Sequence, residues 1–427
     1  MRAEYTFNGP ILRVMFTPAL DEGSENARGI EMVGSVLEIR LSSGMKAELI
    51  HKDHLALITI LSVHPFVKSE LSMDLEVSSD FAKSTAQCVR YNVQFNGTNG
   101  EVYSPTESSK PCLSFSGGVD STAALMLMPK NTICAWLDRP QITERTLYNK
   151  TAARHTMSFA QGLGYDVHKI YCDVEHLRKP VGFPVDLTSG MASVAIASQS
   201  DVDSIAFGMV MESAYRTGHA KFRDYPKSFH YKSWAPLFDS ARIPLYLPVG
   251  GISEVGTSTI VLNSEFNGES RSCIRGEWPE QCNNCWKCFR KTLVDNRILG
   301  LVTEEDSMQN WINVREVKYK LKSWPVSHEN VLAWALKGEL VTGSTAKSLL
   351  ARLEGSRRDL ELLEKWYPPS IDLIPEKYRE EFKINVDKYL SQMTGSEIAD
   401  SESLDISDWL SSQDAADARD RFEEVLS

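Results

Sequence analysis

The sequence predicts an α/β protein built around a doubly wound parallel sheet, with an α+β module before it and a helical region after it. Between residues 110 and 298, apolar strand-like segments alternate with helix-like segments, which is typical of parallel strands joined by right-handed crossovers. Alternating apolar and polar residues indicate strands within residues 1–105. Helical patterns dominate from residue 299 onward. With 427 residues, the chain is long enough for two or three domains.

The elements predicted for the N-terminal module, residues 1–105, are strands at 36–41, 73–77 and 91–95 and a helix at 54–63. Asp53 is placed as the N-cap of this helix, and Pro65 supplies its stop signal. The polar segment 96–109 has the glycine, serine and threonine content of a linker. No catalytic motif is evident in this module.

The elements predicted for the central domain, residues 110–298, are strands at 111–115, 132–137, 167–171 and 204–207 and helices at 122–128, 143–163 and 190–199. Ligands of such sheets bind beyond the carboxyl ends of the parallel strands. We therefore expect Asp138, Asp173 and Gly208 to border one crevice, together with the loop that follows the first strand.

The helices predicted for the C-terminal region, residues 299–393, lie at 329–336, 345–364 and 375–390. This region is interpreted as a scaffold or as a surface for a protein partner. The last segment, 394–427, carries many more acidic than basic residues, which predicts a weakly structured acidic tail. Its one amphipathic candidate is 404–410.

Composition excludes several classes of protein. The formal net charge of −11 argues against broad binding to nucleic acid, because basic surface supplies that affinity. The longest apolar run, 55–63, is too short to span a bilayer, and the N-terminus has no apolar signal region. We therefore expect a cytoplasmic protein with no membrane contact, in which the eight cysteines are thiols or metal ligands.

The loop after the first central strand has the sequence Ser-Gly-Gly-Val-Asp-Ser at residues 116–121, called the phosphate loop below. Two adjacent glycines let successive backbone N–H groups converge on an anion at a helix N-terminus. The hydroxyls of Ser116 and Ser121 can donate to phosphate oxygens, and Asp120 suits a magnesium ion that accompanies the phosphates. A plain Gly-Gly turn with an Asp-Ser cap is the alternative.

This hexapeptide resembles the PP-loop of the ATP pyrophosphatase superfamily, whose fold is described as adenine nucleotide alpha hydrolase-like. The resemblance implies cleavage of ATP between its α- and β-phosphates, adenylation of a substrate, and ATP and Mg²⁺ as cofactors. It assigns catalytic roles to Asp120 and Ser121. The ATP-binding residues it implies are Ser116, Gly117, Gly118, Val119, Asp120, Ser121, Asp138 and Gly208.

A second candidate site has the spacing C-x8-C-x2-C-x2-C and consists of Cys273, Cys282, Cys285 and Cys288. Thiols at such intervals can converge on one tetrahedral ion, for which zinc is the natural occupant. Iron–sulfur clusters share part of this spacing, and a redox dithiol is a further alternative. Four cysteines leave no open coordination position, which favours a structural metal over a catalytic one. The other four cysteines are interpreted as buried apolar residues.

The sequence around these cysteines, 272–276 and 282–290, resembles the zinc segment of the 7-cyano-7-deazaguanine synthase family. The match covers residues 110–295 and places Tyr225 in a loop that covers the substrate. It implies a ligase that activates a deazaguanine-like carboxylate with ATP and transfers it to ammonia or an amine. The N- and C-terminal regions lie outside the match, and in longer relatives such regions can recognise a protein acceptor.

The chain departs from this family at one position. The family usually carries a lysine just before the glutamate of the helix that corresponds to Glu254, whereas this chain has Gly-Ile-Ser at 251–253. A missing cation would weaken charge stabilisation on the leaving pyrophosphate unless another residue replaces it. The candidates for replacement are Lys221, Arg223 and Arg275.

Three hypotheses follow from the sequence. The first is the amidating ligase, acting on a small carboxylate or on a protein partner. The second is a tRNA-modifying PP-loop enzyme, which the acidic charge disfavours. The third is a nucleotide-binding subunit without catalytic activity, which the departure at 251–253 suggests.

Overall fold

The computed structural model describes residues 1–19, 22, 29–140, 148–338 and 340–426. The strands of this part of the chain are β1 (Arg2–Asn8), β2 (Ile11–Thr17), β3 (Glu31–Met32), β4 (Val36–Arg40), β5 (Glu70–Glu76), β6 (Asn92–Gly97), β7 (Lys110–Ser114), β8 (Ile133–Asp138), β9 (Asp166–Cys172), β10 (Arg178–Lys179), β11 (Val202–Ala206) and β12 (Leu245–Tyr246).

The α-helices of the same part are α1 (Lys52–Val63), α2 (Ser79–Cys88), α3 (Val119–Leu127), α4 (Thr151–Gly162), α5 (Met191–Ile196), α6 (Met211–Ala214), α7 (Phe229–Ser240), α8 (Glu254–Leu262), α9 (Trp286–Ile298), α10 (Glu305–Asn313), α11 (Arg315–Leu321), α12 (Glu329–Leu336), α13 (Ser344–Arg352), α14 (Arg379–Val386), α15 (Gly395–Glu402), α16 (Ser407–Leu410) and α17 (Gln413–Val425). In these residues no helix is long and apolar enough to cross a membrane.

Ten strands form one large, mostly parallel sheet in the order β12-β11-β7-β8-β9-β4-β2-β1-β5-β6. The first five strands of this order run parallel to one another. From β7 the chain winds outward through β8 and β9, then returns to the other side of β7 and continues through β11 and β12. This reversal creates a topological switch point between β7 and β11. The predicted α/β class is confirmed at this level.

The N-terminal strands extend the same sheet. Strand β4 pairs antiparallel with β9, where Ile39 is opposite Cys172, and β2 and β1 follow in antiparallel register. The expected module of residues 1–105 therefore shares its sheet with the central domain rather than forming a separate one. Buried apolar residues on one face of β9 and β4 make this junction part of the core, for example Ile170 and Leu37, which are fully buried.

Most predicted elements are found, with different ends. Helix α4 begins at Thr151 rather than at residue 143, and residues 141–147 lie outside the described part of the chain. The N-cap of α1 is His51, whose ring accepts from the N–H of Asp53. The predicted helix 345–364 is divided, because α13 ends at Arg352 and short 3₁₀ turns follow it. Strands β1 and β2 and helix α2 were not predicted.

The expectation of a weakly structured tail is wrong. Residues 394–426 form helices α15, α16 and α17, and α17 packs against α13. Besides its acidic residues, the segment of α17 carries a buried apolar stripe formed by Ala415, Ala418, Phe422 and Leu426. This stripe has helical spacing and covers the guanidinium of Arg352, which stacks over the Phe422 ring at 5.5 Å. Charge alone was therefore a poor guide to order.

Candidate functional site

A cavity of about 400 Å³, called the central cavity below, opens at the carboxyl edge of the parallel strands. Its lining comes from residues that follow three neighbouring strands, including Gly118 after β7, Arg139 after β8 and Gly208 after β11. Because β7 and β11 flank the switch point, the cavity lies where doubly wound sheets bind their ligands. The expected crevice is therefore present.

Two glycines shape the wall of the cavity around the phosphate loop. Gly117 has φ of +75°, a left-handed conformation that favours glycine. A Cβ on Gly208 would lie 2.8 Å from the backbone nitrogen of Ser121, so only glycine lets the chain after β11 approach helix α3 this closely. The loop and the exit of β11 can therefore converge at one helix N-terminus.

The N-terminus of α3 is open toward the cavity. In the part of the chain that the structure describes, no side chain caps this helix, whose N-cap residue is Gly118. The hydroxyls of Ser116 and Ser121 lie 3.0 Å apart beside it, and Ser121 donates to the Gly118 carbonyl at 3.0 Å. Uncapped N–H groups at a helix N-terminus attract anions, and hydroxyls add further donors. The loop therefore has the geometry of a phosphate-binding cradle.

Asp120 is anchored through only one of its carboxylate oxygens. Oδ1 accepts from the Thr257 hydroxyl at 3.0 Å and from the Lys291 ammonium at 3.2 Å. Among described residues Oδ2 has no hydrogen-bond donor, and the side chain lines the cavity with 18% exposure. Burial by itself would raise the pKa of Asp120, but the ammonium groups of Lys291 and Lys287 hold it below its ordinary value. An ionised oxygen is thus free for a cation.

Lys291 lies in a buried network of charges behind the phosphate loop. Its side chain is 2% exposed, and its ammonium lies 4.0 Å from the carboxylate of Glu254. Glu254 also accepts two hydrogen bonds from the Arg290 guanidinium, at 2.7 and 3.3 Å. Burial alone would lower the pKa of Lys291, and the carboxylates of Asp120 and Glu254 raise it above its usual value. The network joins α3, α8 and α9.

We expect Lys291→Met to lower the free energy of unfolding by about 3 kcal/mol, because it removes one partner of a buried ion pair. This value is at the low end of the usual range, since Glu254 keeps Arg290 and Asp120 keeps some contact with solvent. Urea unfolding followed by circular dichroism measures the change. The matched control is Lys347→Met on the exposed face of α13, which should change stability by less than about 0.5 kcal/mol. Equal effects of the two variants would contradict the network.

A second carboxylate, Glu212 of α6, connects this network to α12. Its Oε2 accepts from the backbone N–H of Glu254 at 3.0 Å, and its Oε1 lies 3.3 Å from the Asn330 amide nitrogen. Glu212 is fully buried, and burial together with the charge of Glu254 raises its pKa to about 8. Near neutral pH Glu212 therefore holds its proton. His328, 3.4 Å from Glu254, has its pKa lowered to about 4 by burial and is neutral as well.

This raised pKa predicts a pH dependence of stability. In the unfolded chain, a glutamate with the ordinary pKa of 4.5 is mostly ionised above pH 5. Folded Glu212 keeps its proton up to about pH 8. Unfolding in this window releases a proton, so rising pH favours the unfolded chain by at most about 1.4 kcal/mol per pH unit. Glu212→Gln cannot ionise, and its amide nitrogen can donate to Asn330 Oδ1, which has no partner among the described residues, once the Asn330 amide turns over.

We expect the stability of the Glu212→Gln variant relative to the wild type to rise from pH 5 to pH 8 and to level off above it. Urea unfolding across this range measures the difference. Glu376→Gln on the surface serves as a control with no such trend. A stability difference that stays constant with pH would show that Glu212 is ionised in the folded protein.

The four clustered cysteines converge in space. Their sulfur atoms all lie within 4.8 Å of one another, and those of Cys282 and Cys288 are 3.7 Å apart. Thiolates bound at about 2.3 Å to one tetrahedral ion are about 3.8 Å apart, so the cluster has the dimensions of a mononuclear site. The polynuclear core of an iron–sulfur cluster would hold the sulfurs further apart. The cluster can hold a metal ion and is compatible with zinc.

Backbone contacts hold this cysteine cluster in place. The N–H groups of Arg275 and Gly276 point at the sulfur of Cys273, at 3.4 and 3.3 Å, as is common around metal thiolates. Glu316 of α11 accepts from the N–H of Trp286 and forms an ion pair with Arg275. Cys273 also lines the central cavity, so the cluster and the phosphate loop share one wall.

The structure brings most of the predicted ATP-binding residues to the cavity, which is lined by Ser116, Gly118, Asp120, Ser121 and Gly208. Gly117 and Val119 shape the loop without lining the cavity. Asp138 instead forms ion pairs with Lys150 and Lys169, and Asp173 accepts from the N–H of Glu38 at 2.8 Å. Whether the lining residues bind ATP stays a prediction.

The cations proposed to replace the missing lysine lie elsewhere. Lys221 is exposed and pairs with Asp405, Arg223 donates to backbone carbonyls of α6, and Arg275 pairs with Glu316. Tyr225 is buried, with its hydroxyl 3.0 Å from His230, and does not line the cavity. Among the described residues, the cations that line it are Arg139, Arg271 and Lys287, none of which is predicted from the sequence.

Comparison with known proteins adds one match. A family model described as a family of unknown function (DUF6395) matches residues 233–405. The matched segment contains the four clustered cysteines, Glu254, Arg290 and Lys291, but not the phosphate loop. No curated protein and no solved structure matches the chain.

Proposed function

We propose that this protein is an ATP-dependent ligase of the PP-loop type, which adenylates a small carboxylate and transfers it to ammonia or an amine. The observation that carries the proposal is the Oδ2 of Asp120, which has no donor among the described residues, beside the open N-terminus of α3 at the switch point of the sheet. An anion cradle next to one unpaired carboxylate oxygen suits a magnesium-bound polyphosphate. A cradle for a simple anion would have no use for this carboxylate.

The other walls of the cavity support a nucleotide with a flat substrate. Phe115, Trp136, Phe183, Leu187 and Phe207 provide apolar and aromatic surface around the phosphate end. Such surfaces bind planar heterocycles by stacking and by exclusion of water. This arrangement agrees with a purine base and a deazaguanine-like substrate occupying one continuous cavity.

The chemistry needs alignment more than acid–base groups. A carboxylate oxygen attacks the α-phosphorus, the bond between that phosphorus and the bridging oxygen to the β-phosphorus breaks, and pyrophosphate leaves. A magnesium ion held by Asp120 would neutralise charge on these phosphates. The amine nitrogen then attacks the acyl carbon, AMP leaves, and the nitrogen loses a proton. Among described lining residues Cys273 is the only cysteine, and it belongs to the metal cluster, so a thioester route has no free thiol.

We assign the ion of the cysteine cluster as zinc with a structural role, because four thiolates fill a tetrahedral site. Zinc held there ties the segment before Cys273 to the start of α9. Both segments line the cavity, so the metal site would hold one wall of the nucleotide site.

The test is product analysis. Purified protein is incubated with ATP, Mg²⁺, ammonium and a panel of carboxylates that includes deazaguanine carboxylic acids, and the nucleotides are separated by chromatography. The proposal predicts AMP and pyrophosphate that depend on one carboxylate. Formation of ADP and phosphate would reject the PP-loop assignment, and ATP binding without turnover across the panel would favour a non-catalytic subunit.

A further inference from the structure

Two cations reach the central cavity from the segments that carry the clustered cysteines. Arg271 lies two residues before Cys273, and Lys287 lies between Cys285 and Cys288. Both line the cavity together with Gly118 and Asp120 of the phosphate loop.

We propose that Lys287 and Arg271 bind the β- and γ-phosphates of ATP and stabilise the pyrophosphate as it leaves. This inference rests on the proposed function and names the residues that perform one part of it. The metal site would then also position the two cations, because both lie on the segments that carry the clustered cysteines.

Lys287 stands apart from the other cations around the site. The ammonium of Lys291 is bound by Asp120, and the guanidinium of Arg290 is bound by Glu254. Within the described residues Lys287 takes part in no hydrogen bond or ion pair, although it is half-buried against the cavity and acts on the Asp120 carboxylate. A half-buried cation without a partner is best stabilised by an anion in the cavity.

Arg271 is held in position by its own neighbours. Its guanidinium donates to the Ser270 carbonyl at 3.1 Å and lies 5.2 Å from the centre of the Trp278 ring. The Ser270 hydroxyl donates to the carbonyl of Gly117 at 3.0 Å, which ties this segment to the phosphate loop. The remaining guanidinium nitrogens can donate to phosphate oxygens in the planar geometry that arginine favours.

The packing around residues 251–253 indicates why the phosphate-binding cations are supplied by the cysteine-bearing segments and not by a residue before Glu254. The carbonyl of Gly251 accepts from the N–H of Tyr367, and the Ser253 hydroxyl donates to the carbonyl of Leu363. A Cβ at Gly251 would lie 2.0 Å from the hydroxyl of Ser370. The C-terminal region therefore occupies the space that a side chain at residue 251 would need, and the side chains of Ile252 and Ser253 are buried.

The role in catalysis follows from where charge develops. As the bond to the α-phosphorus breaks, negative charge accumulates on the departing pyrophosphate, and preorganised cations stabilise it. AMP lacks these phosphates and does not depend on the two side chains. Variants of these two residues should therefore lose affinity for ATP and pyrophosphate but not for AMP, whereas general damage to the cavity would weaken binding of all three ligands.

The test compares binding of ATP, inorganic pyrophosphate and AMP, each with Mg²⁺, to the full-length, metal-loaded protein by calorimetry. We expect Lys287→Met and Arg271→Gln each to weaken ATP and pyrophosphate binding by about tenfold to a hundredfold, as for a charge-assisted hydrogen bond. Affinity for AMP and the metal content should not change. Lys287→Arg should retain most of the affinity for pyrophosphate.

The control is Lys221→Met, which removes an exposed lysine outside the cavity and should bind all three ligands like the wild type. If the wild type binds ATP and both cavity variants bind it equally well, the inference is overturned and the proposed function stands. Equal loss of AMP and ATP binding also overturns the inference. If the wild type binds neither ATP nor pyrophosphate, the proposed function itself fails.

Discussion

Asp120→Asn is expected to lower AMP formation by about a hundredfold or more, the scale seen when one preorganised charged contact of a transition state is lost. The asparagine has nearly the same shape and can still accept from Thr257 through its carbonyl oxygen. It lacks the negative charge with which the free Oδ2 would bind magnesium. The measurement is the rate of AMP production, together with the dependence of ATP affinity on Mg²⁺ concentration.

The matched control is Asp166→Asn at the start of β9, where the carboxylate is 58% exposed and remote from the phosphate loop. It should leave AMP formation unchanged. Because Lys291 retains Glu254 as a partner, we expect Asp120→Asn to remain folded, which circular dichroism can verify. Unaltered AMP formation in Asp120→Asn would exclude the assigned role of this carboxylate.

Loss of the cysteine-bound metal is expected to have the largest effect on stability. Isolated zinc modules gain about 10–16 kcal/mol from their ion. A contribution of about 5 kcal/mol in this larger fold would lower the Tm by about 6 °C when the ion is lost. Cys288 is 1% exposed and follows Lys287 in the first turn of α9, so Cys288→Ser should lose the metal, the stability and ATP binding together.

Elemental analysis and thermal unfolding measure this prediction. We expect one zinc ion per chain in the wild type and in Cys88→Ser, a buried cysteine outside the cluster that serves as the control. Iron, a visible absorption band or a protein without metal would contradict the assignment as zinc. A Cys288→Ser variant with full metal content and an unchanged Tm would show that the cysteine cluster does not bind the metal and does not stabilise the fold.

The elements with strong local signals could be predicted from the sequence. The strand β7, the glycine pair after it and the short spacing of three cysteines are local patterns, and each has the predicted place in the fold. The convergence of the phosphate loop with Gly208 follows from the rule that parallel strands end at one edge.

The buried charges could not be predicted in the same way. Lys291 lies far from Asp120 in sequence, and a single lysine in a helix looks like a solvent-exposed one until the packing of α8 and α9 is known. The cation candidates Lys221, Arg223 and Arg275 illustrate the same difficulty, since each is bound by other protein groups and does not line the cavity. Tertiary packing decides which charges face a ligand.

The acidic tail illustrates the opposite error. Its charge suggested weak structure, yet four apolar residues at helical spacing are sufficient to bury one face of α17 against α13. A search for apolar residues at intervals of three and four within charged segments would have found this helix.

Transfer of oxygen from the carboxylate to AMP tests the central claim most directly. The protein is supplied with ATP, Mg²⁺, ammonium and a carboxylate labelled in both oxygens with the heavy oxygen isotope, and AMP is examined by mass spectrometry. If the cavity forms an acyl adenylate, one labelled oxygen appears in the phosphate of AMP, because the carboxylate oxygen stays with phosphorus when the amide forms. AMP that forms without the label would show that water attacks the α-phosphorus and would contradict carboxylate activation at this site.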